Sequence, residues 1–145
     1  MGAHVSVPMY RRTLAARVGL EGRRCDRCSA VSFPPRGACG QCRGRSLTPV
    51  RLSGVGTLQA WTYITAAGAP PEFAAQVRRD GGYHVGLVAL QEGPRVAGQL
   101  VDVSDPEIGQ PVRAVVRRLY EEEGVVRYGF KFAPHMGEQL PAEGV

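Results

Sequence analysis

Four cysteines, the only ones in the chain, fall in one short stretch: Cys25-Asp26-Arg27-Cys28 and Cys39-Gly40-Gln41-Cys42. Ten residues lie between the two pairs. A CxxC turn presents two sulfurs side by side, and two such turns facing one another close a tetrahedron around a single ion. Zinc suits this donor set, because a borderline-soft ion accepts four thiolates and keeps no open position. Iron in a rubredoxin-like site would use the same ligands, and the spacing leaves the choice of metal open. A closed four-sulfur site is structural. Any chemistry must then come from other residues or from a partner.

Two further uses of paired cysteines fit less well. Disulfides need an oxidising compartment, and the opening residues MGAHVSVPMYRR lack the apolar core of an export signal. A redox CxxC needs one motif at a helix start after a strand, and two motifs facing each other argue against that. Residues 23–46 also hold few large apolar side chains, Val31 and Phe33 among them. Such a segment buries too little surface to fold alone. Metal binding, worth roughly 10–16 kcal/mol in small zinc peptides, would supply the missing stability.

The formal net charge of +5 hides an asymmetry. Residues 1–51 carry ten arginines against Glu21 and Asp26, a net of +8, while residues 52–145 carry a net of −3. Lys131 is the sole lysine. Arginine pairs bidentately with phosphate and carboxylate, so the first third is suited to an anion. That anion could belong to a nucleic acid, a nucleotide-bearing cofactor or an acidic protein face; a solvated basic surface is the plainer alternative. No apolar run is long enough to span a bilayer, and no membrane partner is expected. A reducing, cytoplasmic location is expected, in keeping with free thiolates on a metal.

Residues 9–20 read as a short helix with Tyr10, Leu14 and Val18 on one side and Gly19 as its stop. The metal module occupies about 23–45. Between its knuckles, Phe33-Pro34-Pro35-Arg36 is stiffened by two prolines, which would hold Arg36 in a fixed place or simply bridge the knuckles. From residue 49 the grammar becomes that of strands: 55–66, 83–91, 95–103, 111–121 and 125–133. Gly54 and Gly56 suggest a bulge or bend at the start of the first. In the last, Val126, Tyr128, Phe130 and Phe132 are expected to face in, with Arg127 and Lys131 facing out. Residues 67–82 form a long connection with room for two helical turns over 72–79. Five strands, glycine bends and little helix point to a small closed barrel of the OB type. The expected architecture is mainly β: an N-terminal helical segment (1–22), a zinc ribbon (23–48), a five-stranded OB-fold barrel (49–134) and a flexible tail (135–145).

The residues Arg24-Cys25-x-x-Cys28, Phe33-Pro34-Pro35-Arg36 and Cys39-x-x-Cys42 carry a resemblance. Ser53-Gly54-Val55-Gly56-Thr57, residues 86–93, Ile108-Gly109-x-x-Val112 and Phe130-Lys131-Phe132-Ala133-Pro134 follow in the same order. Over residues 9–134 the chain resembles the bacterial and archaeal proteins that join a rubredoxin-like zinc ribbon to an OB-fold, long catalogued as a domain of unknown function. The resemblance implies an auxiliary subunit that binds a thiolase-like partner as a hetero-oligomer, with a heterotetramer among the options. The pair would cleave or form a carbon–carbon bond in a CoA thioester. Known settings include an archaeal thiolase and hydroxymethylglutaryl-CoA synthase assembly, steroid side-chain aldolases and the benzoylsuccinyl-CoA thiolase of anaerobic toluene degradation; the last has small subunits of this length. Two features depart from the pattern. Ser29 stands where glycine is common, and the 67–82 connection is long, as a partner- or substrate-specific loop would be, with Phe73 and Val77 as candidate contacts.

No catalytic residues are expected in this chain. All four cysteines are committed to metal, and His4, His84 and His135 read as structural. Glu121, Glu122 and Glu123 read as a solvated hairpin tip. Two functions from different classes remain. In one, the chain is the non-catalytic zinc subunit of an acyl-CoA thiolase-like complex, with Arg23, Arg24, Arg36 and Arg43 as candidate contacts to CoA phosphates or to the partner. In the other, ribbon and barrel form a single-stranded nucleic-acid-binding module using Trp61 and Tyr63. The acidic barrel half weighs against the second, because a groove that tracks phosphates should be positive.

Overall fold

The computed structural model describes residues 6–136. His4 therefore lies outside the described residues, as does most of the expected tail. Helix α1 spans Val7–Val18. Its start is two residues earlier than the apolar spacing predicts, because the Ser6 hydroxyl accepts from the Met9 N–H and Pro8 suits the first turn. Gly19 ends it, donating its N–H to the Ala15 carbonyl. Tyr10 is the residue α1 buries.

The metal module is built on a small antiparallel sheet. Strand β1 (Glu21–Cys25) lies between β2 (Val31–Ser32) and β3 (Leu47–Arg51). Its register with β3 runs from Glu21↔Arg51 to Cys25↔Leu47, which fixes the first knuckle at the end of the longest pairing.

The remaining strands close a barrel: β4 (Val55–Thr65), β5 (Gly82–Leu90), β6 (Arg95–Leu100), β7 (Pro111–Glu122) and β8 (Val125–Pro134), in the order β4-β5-β6-β8-β7. Closure comes from β4 on β7 and from a parallel step between β6 and β8 at Leu100↔Phe132. The mainly β architecture expected from sequence is thus present. Leu58, Val88, Leu90, Val96, Leu100, Val112 and Phe132 fill the interior. Leu20 and Leu52, which flank the ribbon sheet, join the same core. Each such side chain contributes about 1.5–3 kcal/mol on burial. At Gly56, a Cβ would fall 2.4 Å from the Ala89 carbonyl oxygen, so only glycine lets the two strands approach. The bend itself is at Gly54, whose φ of +78° favours glycine; the bulge in β4 comes later, between Leu58 and Ala60.

The last strand corrects its expectation. Phe132 is fully buried, but so is Arg127, and Lys131 is largely buried, while Tyr128 is exposed. Two causes act together. The β7–β8 hairpin runs on past the barrel, since β7 meets β4 only over residues 111–113, and no interior receives Tyr128 there. The opposite face of β8 is covered instead. Tyr10 of α1 lies under the Arg127 guanidinium, 4.8 Å from ring centre, and its hydroxyl accepts from the Tyr128 N–H at 2.7 Å.

The long connection is ordered as a 3-10 turn (Pro71–Phe73) and helix α2 (Ala74–Asp80), which the left-handed Gly81 ends. Phe73 packs against Tyr83 and Tyr120, and Val77 is buried. Both were candidate contacts to a partner or a substrate; in the structure they fasten the connection to the barrel, Val77 buried and Phe73 half-buried.

Candidate metal centre

The two knuckles are near copies of each other. In the first, Cys25 N–H donates to the Ala30 carbonyl and Ser29 N–H to the Cys25 carbonyl. In the second, Cys39 N–H donates to the Gly44 carbonyl and Arg43 N–H to the Cys39 carbonyl. The residue after the second cysteine is left-handed in each, Ser29 at φ 64° and Arg43 at φ 60°. That is why glycine is favoured there, and why Ser29 departs from the pattern at a conformational cost.

The result is a cluster of four Sγ atoms, all within 4.8 Å of one another, with Cys25–Cys42 and Cys28–Cys39 each at 3.5 Å. A zinc ion with tetrahedral bonds of about 2.3 Å needs sulfurs about 3.8 Å apart. The cluster brackets that value, so the donor set and its spacing fit the ion. Cys25 and Cys39 are buried, whereas Cys28 is exposed and Cys42 half-buried, leaving one rim of the site at the surface.

Electrostatics give the same answer. Backbone N–H groups of Cys42 and Gln41 pull the Cys39 thiol down to about 6. The Cys28 and Arg27 backbone N–H groups lower Cys25 in the same way. At Cys28 the largest single influence, the Ala30 N–H, also lowers the pKa. It is outweighed by the Cys39 sulfur, burial and the remaining sulfurs, and the thiol is pushed up to about 12. Sulfurs this close cannot all ionise against one another, and a divalent cation removes the conflict by taking four thiolates at once.

The candidate arginines are not gathered at one place. Arg23 and Arg24 are consecutive on β1 and project from opposite faces. Arg43 is exposed in the second knuckle. Arg36 lines an open cavity of about 450 Å³ between ribbon and barrel, together with Cys39, Gln41, Glu92 and Arg95. Arg95 and Glu92 were not singled out from sequence, since only the folded chain brings the β5–β6 turn to the ribbon. Phe33 anchors this junction by packing on Phe130, with ring centres 5.8 Å apart. The Phe33–Pro34 peptide is cis. His84 lies between Trp61 and Tyr63, at 5.4 and 4.8 Å from their ring centres, as a packed side chain would. His135 donates its backbone N–H to the Pro111 carbonyl.

A helix, a tetrathiolate ribbon and a closed five-stranded barrel sharing one core define a zinc-ribbon–OB-fold protein. Family comparison agrees along the chain: residues 13–48 match the ChsH2 rubredoxin-like zinc ribbon domain, and residues 49–117 match the ChsH2 C-terminal OB-fold domain. A DUF35 domain-containing scaffold protein of Methanocaldococcus jannaschii is 38% identical over 128 residues, covering 85% of this chain and 86% of that one. A second, from Methanothermobacter thermautotrophicus, is 37% identical over 129 residues, covering 85% and 92%. A probable enoyl-CoA hydratase alpha subunit of Thermomonospora curvata is 35% identical over 92 residues, which are 62% of this chain and 27% of that one. Among solved structures, a chain of the Ltp2-ChsH2(DUF35) aldolase superposes with a TM-score of 0.63 at 24% identity, covering 92% and 98%; at that identity it speaks for the fold alone. The chain belongs to the DUF35 family of zinc-ribbon and OB-fold scaffold proteins.

Proposed function

We propose that this chain is the non-catalytic subunit of a thiolase-like complex that forms or cleaves a carbon–carbon bond in an acyl-CoA. The observation that carries the reading is the gathering of every cysteine into one cluster. Thiolase chemistry runs through a cysteine thiolate and a base. With no sulfur left over, the reactive cysteine belongs to the partner, and this chain acts by holding it. Support comes from archaeal relatives named as scaffold proteins. The partial likeness to an enoyl-CoA hydratase subunit supports acyl-CoA as the substrate class. The benzoylsuccinyl-CoA thiolase of anaerobic aromatic degradation is the particular setting we favour.

In this reading Arg36 and its new neighbour Arg95 meet a CoA phosphate or an acidic face of the partner, while Arg23, Arg24 and Arg43 contribute the wider positive field. The expected location is the cytoplasm; no helix among the described residues is long and apolar enough to cross a membrane. A specific observation keeps the nucleic-acid reading in play: Trp61 and Tyr63 are 40% and 46% exposed on the barrel wall. The strand that carries them has no charged residue between Gln59 and Thr65, where phosphate tracking would need arginine or lysine.

The test is co-expression with a thiolase-like protein of the native host, followed by assay of 3-oxoacyl-CoA cleavage. The proposal expects the partner to lose most of its activity or solubility when this chain is left out. A partner fully active and stable alone would refute it. Tight single-stranded DNA or RNA binding with a steep salt dependence would favour the other reading.

A further inference from the structure

A second cavity, of about 430 Å³, borders the ribbon–barrel junction and shares Phe33 and Arg95 with the one that contains Arg36. It is an open groove built on Phe33, Leu119 and Phe130, with Val96 on its β6 side. A Cβ at Gly129 would fall 2.7 Å from Leu119 Cδ1, so glycine is what lets Leu119 lie across β8 as part of that floor. Apart from Arg17 of α1 and Arg95 of β6, every residue lining the groove is apolar. No carboxylate lines it, and neither guanidinium makes an ion pair or a side-chain hydrogen bond among the described residues. The acids nearest to them along the chain serve elsewhere. Glu21 lines a different cavity with Val18 and Arg51, and Glu92 lines the ribbon cavity, where it accepts from the Ser53 N–H at 2.7 Å.

We propose that this groove binds a small amphipathic carboxylate: an apolar body of the size of a phenylalkanoate, carrying one acid group. Arg95 is exposed and Arg17 half-buried, so water solvates both charges while the groove is empty, and charge alone calls for no ligand. The groove adds apolar surface beside the charge. A body laid on Phe33, Phe130 and Leu119 leaves water, and its carboxylate then meets a guanidinium whose fork receives it bidentately. The Phe33 and Phe130 rings, 5.8 Å apart and inclined at 66°, offer an edge and a face to a third ring. Acetate or free phosphate would use the arginines and leave the floor wet, and a neutral body would do the reverse. The volume is that of a small-molecule site. The inference does not rest on the partner proposed above, and it leaves Arg36 to the ribbon cavity.

The test uses the full-length, metal-loaded chain with 13C-labelled leucine and valine methyl groups, so that Leu119 and Val96 report from the groove itself. It is titrated with sodium 4-phenylbutyrate, with the neutral 4-phenylbutyramide, with sodium acetate and with inorganic phosphate, at ionic strength held constant with chloride. The proposal expects a saturable shift of the Leu119 and Val96 signals with 4-phenylbutyrate, and affinities at least about tenfold weaker for the other three. Ala97, which is exposed, also lines the groove, and Ala97→Trp fills it from the outer side. That variant should weaken 4-phenylbutyrate at least about tenfold, and the pair Arg17→Gln with Arg95→Gln should bring the acid down to the affinity of its amide. Absence of saturation would overturn the proposal. So would an amide, acetate or phosphate that binds as tightly as the acid, or an unchanged response in both variants.

Discussion

Single residues carry most of the information in the ribbon. Ser29 is left-handed, and nothing in its knuckle hydrogen bonds uses its side chain. Ser29→Gly should therefore stabilise the protein by roughly 0.5–1 kcal/mol, the relief of left-handed strain less the entropy glycine gains when unfolded. Urea unfolding measures it, and a loss of stability would show that Ser29 is doing something else. Asp26 lies in the first knuckle and accepts from the hydroxyls of Ser46 and Thr48, which lower its pKa. A group depressed on folding adds stability above its unfolded value, about 3.9, and that stability is lost as pH falls through the folded value. Metal release in acid acts in the same direction. The difference between wild type and Asp26→Asn isolates the carboxylate: the gap in urea midpoint should be widest near neutral pH and close on acidification. A gap that stayed constant with pH would contradict it.

At the scale of elements, the sequence was legible where pattern and chemistry coincide. Cysteine spacing located both knuckles, glycine and proline punctuation placed the turns, and apolar patterning between those turns found all five barrel strands. It misread β8 because alternation reports only which residues share a face. It does not say that α1, far earlier in the chain, covers the outer face at Arg127, or that the hairpin outruns the barrel at Tyr128. The helical turns of the connection after β4 were legible, but the packing of its apolar residues was not, for a related reason. Phe73 and Val77 look spare in a loop until Tyr83 and Tyr120 are known to stand beneath them. Phe33 is the clearest hinge between elements: it belongs to the ribbon but packs on Phe130 and on the barrel core. Phe33→Ala should cost about 2–3 kcal/mol, toward the low end for a large aromatic because the ring is only half-buried. It should do so without loss of metal, since no zinc ligand is touched. Equal loss of bound metal and stability would mean that the loop, not the ring, fixes the knuckles.

For the molecule as a whole, the ribbon and barrel are one folding unit. Leu20 and Leu52 tie the ribbon sheet to the interior of the barrel, and the Phe33 contact closes the junction from the other side. The metal therefore supports more than its own loop. It sets the position of the ribbon, with Arg36, against the barrel turn that carries Arg95. The candidate anion contacts were the least legible part. Arginine composition marks a half of the chain, but which arginines converge depends on how two sheets meet, and Arg95 joined Arg36 only in three dimensions.

The most direct test is the metal content of native protein, measured by elemental analysis alongside thermal unfolding before and after a strong chelator. One zinc or iron per chain is expected, with cooperative unfolding at markedly lower temperature once the ion is stripped. Cys25→Ser should reproduce the stripped state. Protein that is free of metal as purified, and that melts at the same temperature with the chelator as without it, would contradict the account.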